Sequence, residues 1–309
     1  GGQLAGRPAC AQQASVPDSR TSGACVAVAV AGTAARLMRL DPAQIAHAMG
    51  IAEYHGPRSQ MMRCIDHPTM LKDGSGWGAM CGVAAARLAA AGFTGAPALT
   101  LGTDHWQDLA DRWLICQQYF KPYPVCRWAQ APIAAVLDLQ QRHGFASQDI
   151  TGLHIVSFHE SVRLGAKRVK TTEEAQYSTS FPCALALVHG TILPEHVADA
   201  ALNHPEVQRL SSILTMGEDA SANSAFPNRR LARAEITLAS GGHLKSDWFE
   251  PEWDPTAPPS QKDLKRKFFS YAVPALGRAR SQAIHQAVET LDHGSNAQPL
   301  LDLLAQPIS

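Results

Sequence analysis

The stretch ACVAVAVAGTAARLM, residues 24–38, constrains the fold most. It is apolar along nearly its whole length yet built from small side chains, so a helix made of it must be closed over by neighbouring helices at short range. It reaches Arg36 well short of the roughly 20 apolar residues that a membrane span requires. A buried helix follows. Downstream, DPAQIAHAMGIA offers Asp41 as N-cap and Pro42 at the first helical position. A third helix is predicted from about Trp77 to Ala91, stopping at Gly92. The first 115 or so residues therefore read as helix packed on helix.

At YFKPYPVCRW the texture changes, because Pro122 and Pro124 forbid a continuing helix and mark a hinge or domain crossing. Beyond it, APIAAVLDLQQRHG reads as a helix ended by Gly144, and GLHIVSFHESV alternates as a half-buried strand does. RRLARAEITLASGGHLKSDWF alternates on both sides of Gly241 and Gly242, the pattern of a hairpin. Between these strands TTEEAQYSTSFPCALALVHG reads as a helix carrying Tyr177 and Ser178 and interrupted at Pro182, with Thr171 and Glu174 at capping-box spacing. PEWDPTAPPSQKD, residues 251–263, is a proline-rich linker, and helical periodicity then resumes to the end. The division is helical over 1–119, α+β over 120–250, and a linker with helices over 251–309 that return to the first domain.

The 27 basic and 27 acidic residues cancel, so no long-range field draws in nucleic acid or a membrane surface. Anion recognition has to be local. Seven cysteines, odd in number and lacking CxxC or zinc spacing, indicate a reducing, cytoplasmic compartment and no structural metal. The chain opens GGQLAGRPAC, without an initiator Met and without the layout of a secretory signal, and so reads as a fragment.

No GxGxxG, GxxxxGK[ST], HExxH or GxSxG pattern occurs, which leaves cofactor-free acid/base chemistry or none. Three local constellations stand out. In HPTMLKDGSGWGAM, Lys72 precedes a turn whose Gly74 and Gly76 let backbone amides approach an anion near a helix start. In KPYPVC the rigid prolines fix Lys121 at the domain junction, a common place for ligand sites. In EEAQYSTSFP a helix carries Tyr177. Each has a plainer reading as a solvated lysine or a packed tyrosine, and Cys126 reads as an inert thiol, since no neighbour in sequence lowers its pKa.

Taken in order, HPTMLKDGSGWGA, LAAAGFTGAP, KPYPVCRWAQAPI and EEAQYSTSFPCALALVHG resemble the MmgE/PrpD family, which includes 2-methylcitrate dehydratase, cis-aconitate decarboxylase and iminodisuccinate epimerase. The resemblance covers essentially the whole chain. It implies a mainly α protein, a large helical domain with an inserted α+β lid, that works without metal or organic cofactor on a small di- or tricarboxylate, usually as a homodimer. Carried over, Lys72 and Lys121 would clamp a substrate carboxylate from the two domains, and Tyr177 would stand near the substrate as the third catalytic residue. Arg20, Gly74, Cys126 and Gln130 would contribute to substrate binding.

The departures from the family pattern are specific. Where relatives have a Tyr-His pair, this chain has Ser19 and Arg20, and Arg20 can bind a carboxylate but cannot serve as a base. Cys126 stands where some relatives have histidine. Relatives also carry an upstream helical segment with an aspartate and a histidine at the site, and this chain starts after it. Two function classes follow. The first is a lyase or isomerase of the family that removes a proton beside a carboxylate (a dehydratase or an epimerase if active). The alternative is a truncated or non-catalytic paralogue that binds a carboxylate or only assembles.

Overall fold

The computed structural model describes residues 2–14, 20–165, 168–291, 294 and 296–308; Ser19 lies outside them. The chain opens with α1 (Gly2–Ala14), α2 (Gly23–Leu37), α3 (Pro42–His55), the short α4 (Met62–Asp66) and α5 (Ser75–Ala90). The small-residue run becomes α2, and its Ala27, Val28 and Ala31 meet Ala48 and Ile51 of α3 and Ala86 of α5 in one core. Contact between α2 and α5 is backbone to backbone. A Cβ placed on Gly78 would stand 2.2 Å from the Gly23 carbonyl, and one on Gly82 would stand 2.6 Å from that of Ala27. Asp41 caps α3 as expected, in a full capping box with Gln44, and Pro42 occupies its first turn.

After short 3₁₀ turns between residues 99 and 117, the hinge leads into a mixed layer: α6 (Gln130–His143), β1 (Ile150–Ser157), α7 (His159–Val162), α8 (Thr172–Gln176), α9 (Ser180–His189), α10 (Pro205–Ile213), β2 (Leu214–Glu218), α11 (Ala220–Ala225), β3 (Ala232–Leu238) and β4 (His243–Lys245). The sheet order is β2-β1-β3-β4, with β1 and β2 parallel and the other pairs antiparallel. The expected hairpin is β3–β4, turning through Gly241 at φ +85°. Leu153, Ile155, Ala234 and Ile236 point from the sheet into a core shared with Ile133 of α6 and Phe181 of α9.

The helix expected across residues 171–189 is two helices. Thr171 does cap the first, accepting from the Glu174 N–H at 3.2 Å, but the break falls at Tyr177–Thr179 rather than at Pro182. Pro182 lies in the first turn of α9, where an N–H has no intrahelical acceptor to lose. The Thr179 N–H donates instead to the Leu164 carbonyl at 2.8 Å.

The proline-rich segment is pinned, since the Phe120 N–H donates to the Trp253 carbonyl and Arg127 pairs with Asp254 at 2.5 Å. Helices α12 (Gln261–Leu276), α13 (Arg278–Leu291) and α14 (Gln298–Ala305) follow, with Gly277 separating the first two. They pack on one another, and α12 reaches the hinge, where the Lys267 ammonium donates to the Lys121 carbonyl. Among the described residues no helix is long and apolar enough to cross a membrane.

Candidate functional site

A cleft of about 510 Å³ opens where the first helices, the hinge and the mixed layer meet. Lys72, Lys121, Cys126 and Tyr177 all line it, so residues more than a hundred positions apart in sequence converge. Lys72 ends a turn in which its N–H donates to the Thr69 carbonyl, and its backbone takes the left-handed φ of +46°. The side chain crosses the cleft, and Nζ donates to Oε1 of Gln176 at 2.8 Å. Gln176 is neutral, so this bond does not pair Lys72 with an anion.

Lys121 stands at the start of the proline loop, half-buried, with its carbonyl held by Lys267. The loop itself is held by Gln130. That side chain is buried, donating from Nε2 to the carbonyls of Tyr123, Val125 and Cys126 at 3.2–3.3 Å and accepting from the Tyr123 N–H. Gln130 thus orients the hinge and does not line the cleft. The Cys126 N–H donates to the Gln176 carbonyl at 2.9 Å, which ties hinge to α8.

Tyr177 closes the end of α8 as its C-cap. Burial pushes its phenol well above its ordinary pKa, and the nearby Asp73 carboxylate adds to the shift. Burial likewise raises the Cys126 thiol, against a smaller opposing pull from backbone N–H groups and Lys121. Both groups therefore stay protonated near neutrality, as donors rather than as bases or nucleophiles.

Gly74 is left-handed, φ +71°, and opens α5. It lines an adjoining hollow of similar size together with Lys72, Arg63, His67 and Trp77. Arg20 is not among the residues lining either space. Its guanidinium donates to the Arg58 carbonyl at 3.1 Å.

Three charged residues of the cleft escaped the sequence reading: Asp73, Arg127, which pairs with Asp254, and Arg230. Asp73 adjoins Lys72 and is the one carboxylate among the described lining residues. It accepts from the Ser22 N–H at 3.2 Å and from the Ser22 hydroxyl, so it also caps α2. Arg230, from the segment leading into β3, contributes a further cation. The lone sequence signal for Asp73 was its place in LKDGSG, and Arg230 gave none, being one of two arginines before a strand. Trp128, Phe226 and Tyr119 supply apolar wall. Among the described residues no three His, Cys, Asp or Glu side chains converge as a metal site needs.

A helical layer, a mixed α/β layer and a cationic cleft at their junction define the class. The MmgE/PrpD N-terminal domain matches residues 7–112 and the MmgE/PrpD C-terminal domain matches residues 123–293, so the chain belongs to the MmgE/PrpD family. Among curated proteins no match to the chain was found.

Proposed function

We propose that this protein acts on a small di- or tricarboxylate by removing a proton from the carbon beside a carboxylate, as a dehydratase or an epimerase, without a cofactor. The observation that supports this reading most is that Lys72, before α5, and Lys121, in the proline loop, line one cleft. Two ammonium groups on a substrate carboxylate stabilise the charge that builds there as the neighbouring carbon loses its proton, and they hold that carbon in place. Tyr177, kept protonated, donates to a substrate oxygen. Asp73 is the proton acceptor at hand, and a placed group of this kind contributes on the order of 10²–10⁴-fold in rate. The proposal includes a cytoplasmic homodimer in which residues 120–250 form the lid and 251–309 return to the helical domain.

A second reading has its own observation. Asp73 already caps α2, Tyr177 and Cys126 are held protonated, and Arg20 is turned to a backbone carbonyl, so the cleft can bind an acid without turning it over.

Calorimetric titration of the chain with citrate and 2-methylcitrate, beside its Lys72→Ala and Lys121→Ala variants, tests the shared part. Binding that both substitutions abolish is the expected result, and no binding by the folded wild-type chain would end both readings. Turnover of 2-methylcitrate, lost in Asp73→Asn, selects the first; binding without turnover selects the second.

A further inference from the structure

We propose that Arg230 reads a second anionic group on the ligand and so restricts the cleft to dicarboxylates and larger acids. The inference rests on the acid-binding reading of the cleft and goes one step further, to a residue that sets specificity.

Arg230 is half-buried on the wall of the cleft that holds Lys72 and Lys121. Its Nε is buried without any hydrogen-bond acceptor among the described residues. Arg229 pairs with Glu250 at 2.7 Å, and Arg233, whose Nε likewise lacks a hydrogen-bond acceptor, lies 4.6 Å over the Trp248 ring; of the three arginines, Arg230 is the one that lines the cleft. Arg230 lines the cleft and makes no ion pair among the described residues, so its guanidinium is left for an acceptor that the ligand brings, and the planar fork of arginine matches a carboxylate on two atoms.

The charge balance points the same way. Arg127, buried in the cleft wall, is cancelled by its pair with Asp254. Lys72, Lys121 and Arg230 make no ion pair among the described residues, and Asp73 is the lining carboxylate. Three cations against one anion leave two positive charges, so a dianion neutralises the site where a monoanion does not. Arg230 also lies close enough to Arg127 for their like charges to oppose each other, and a bound carboxylate relieves that repulsion.

The test compares two acids of equal chain length, butyrate and succinate, with inorganic phosphate as a control anion. Each is titrated by calorimetry into the wild-type chain, Arg230→Gln and Arg230→Lys, at one pH and ionic strength. Arg230→Gln is expected to weaken succinate by about tenfold or more while changing butyrate little. Arg230→Lys is expected to recover part of the loss. Equal weakening of both acids, no weakening of either, or phosphate binding as tightly as succinate would overturn the inference. Failure of the wild-type chain to bind either acid would remove the acid-site reading, and the inference with it. Should Arg230→Gln fail to fold, phenylglyoxal modification of the wild-type chain, mapped by mass spectrometry, gives a second reading. Protection of Arg230 by succinate and not by butyrate supports the role, and equal protection or none contradicts it.

Discussion

Lys72 carries its side chain on a backbone that favours glycine, at φ +46°. A left-handed non-glycine residue costs of order 1 kcal/mol or more, and such strain persists where the surrounding structure enforces it, often at a ligand site. Here the turn from Thr69 to Gly74 enforces it, and the return is an ammonium that reaches across to Gln176. Lys72→Gly and Lys72→Ala remove the same amine but differ in backbone. The glycine variant is expected to be the more stable of the two by about 1 kcal/mol, with acid binding lost in both. Denaturant unfolding together with calorimetry reads the two effects separately, and retained binding in either variant would deny Lys72 its place in the clamp. That Lys72, Lys121 and Tyr177 belong near one cleft could be anticipated because each sits in a distinctive local pattern of glycines, prolines or helix signals. Arg230 and Asp73 were not, because what marks them is the cleft they share, and nothing local in their surroundings encodes it. Gln130, expected at the substrate, has its hydrogen bonds to the hinge backbone and is not among the residues lining the cleft.

Helix α3 shows how an element is fixed at both ends. Asp41 begins it, and near its end the buried Glu53 accepts from the N–H groups of Leu99 and Thr100, at 2.6 and 3.0 Å, and from the Thr100 hydroxyl. Glu53→Ala strands those donors away from water and is expected to destabilise the chain by at least about 1–3 kcal/mol, seen as a lower denaturation midpoint, with Glu53→Gln costing less. The capped and punctuated elements, α3, α6, β1 and the β3–β4 hairpin, were readable because local chemistry starts and stops them. Strand β2 was not readable: LTMGE follows α10 with no intervening turn, shows no clean alternation, and owes its existence to parallel pairing with β1 across some sixty residues. The same layer carries a pH-sensitive cluster. His189 stacks on His196 at 4.3 Å and meets His204 at 5.5 Å, and burial, followed by the charges of those two rings, lowers its pKa. A depressed histidine binds fewer protons folded than unfolded, so its share of stability is complete above about pH 6.5 and is lost as pH falls through the folded value. Melting temperature is therefore expected to fall more steeply below pH 6.5 in the wild type than in His189→Gln; parallel curves would exclude the cluster as the cause.

At the scale of the molecule, two hydrophobic cores share no residue, one among α2, α3 and α5 and the other beneath the sheet. Among the described residues, what joins them includes a small cluster of Cys64, Ile65 and Leu164 with Met61, Met62, Cys126, Trp128 and Tyr177 packed against it, an Asp66–Arg163 pair about one-third exposed, and the Lys72–Gln176 bond. A partly exposed ion pair contributes about 0–1 kcal/mol, too little to force two cores to melt together. Cooperative two-state unfolding is thus not expected of the free chain. An acid held by Lys72 on one side and by Lys121 and Arg230 on the other changes that balance, because it binds only when both halves are folded and in register. Ligand at a hundred times its Kd adds about 2.7 kcal/mol to the state that binds it, more than the partly exposed Asp66–Arg163 pair contributes. Scanning calorimetry is expected to show a broad or doubled transition without ligand and a sharper, higher one with citrate. Lys72→Ala should remain broad at every citrate concentration, since one side of the clamp is gone. A single sharp transition in the free chain would mean that the junction cluster couples the cores unaided. Sharpening by citrate in Lys72→Ala would mean that the acid binds somewhere other than across the two halves.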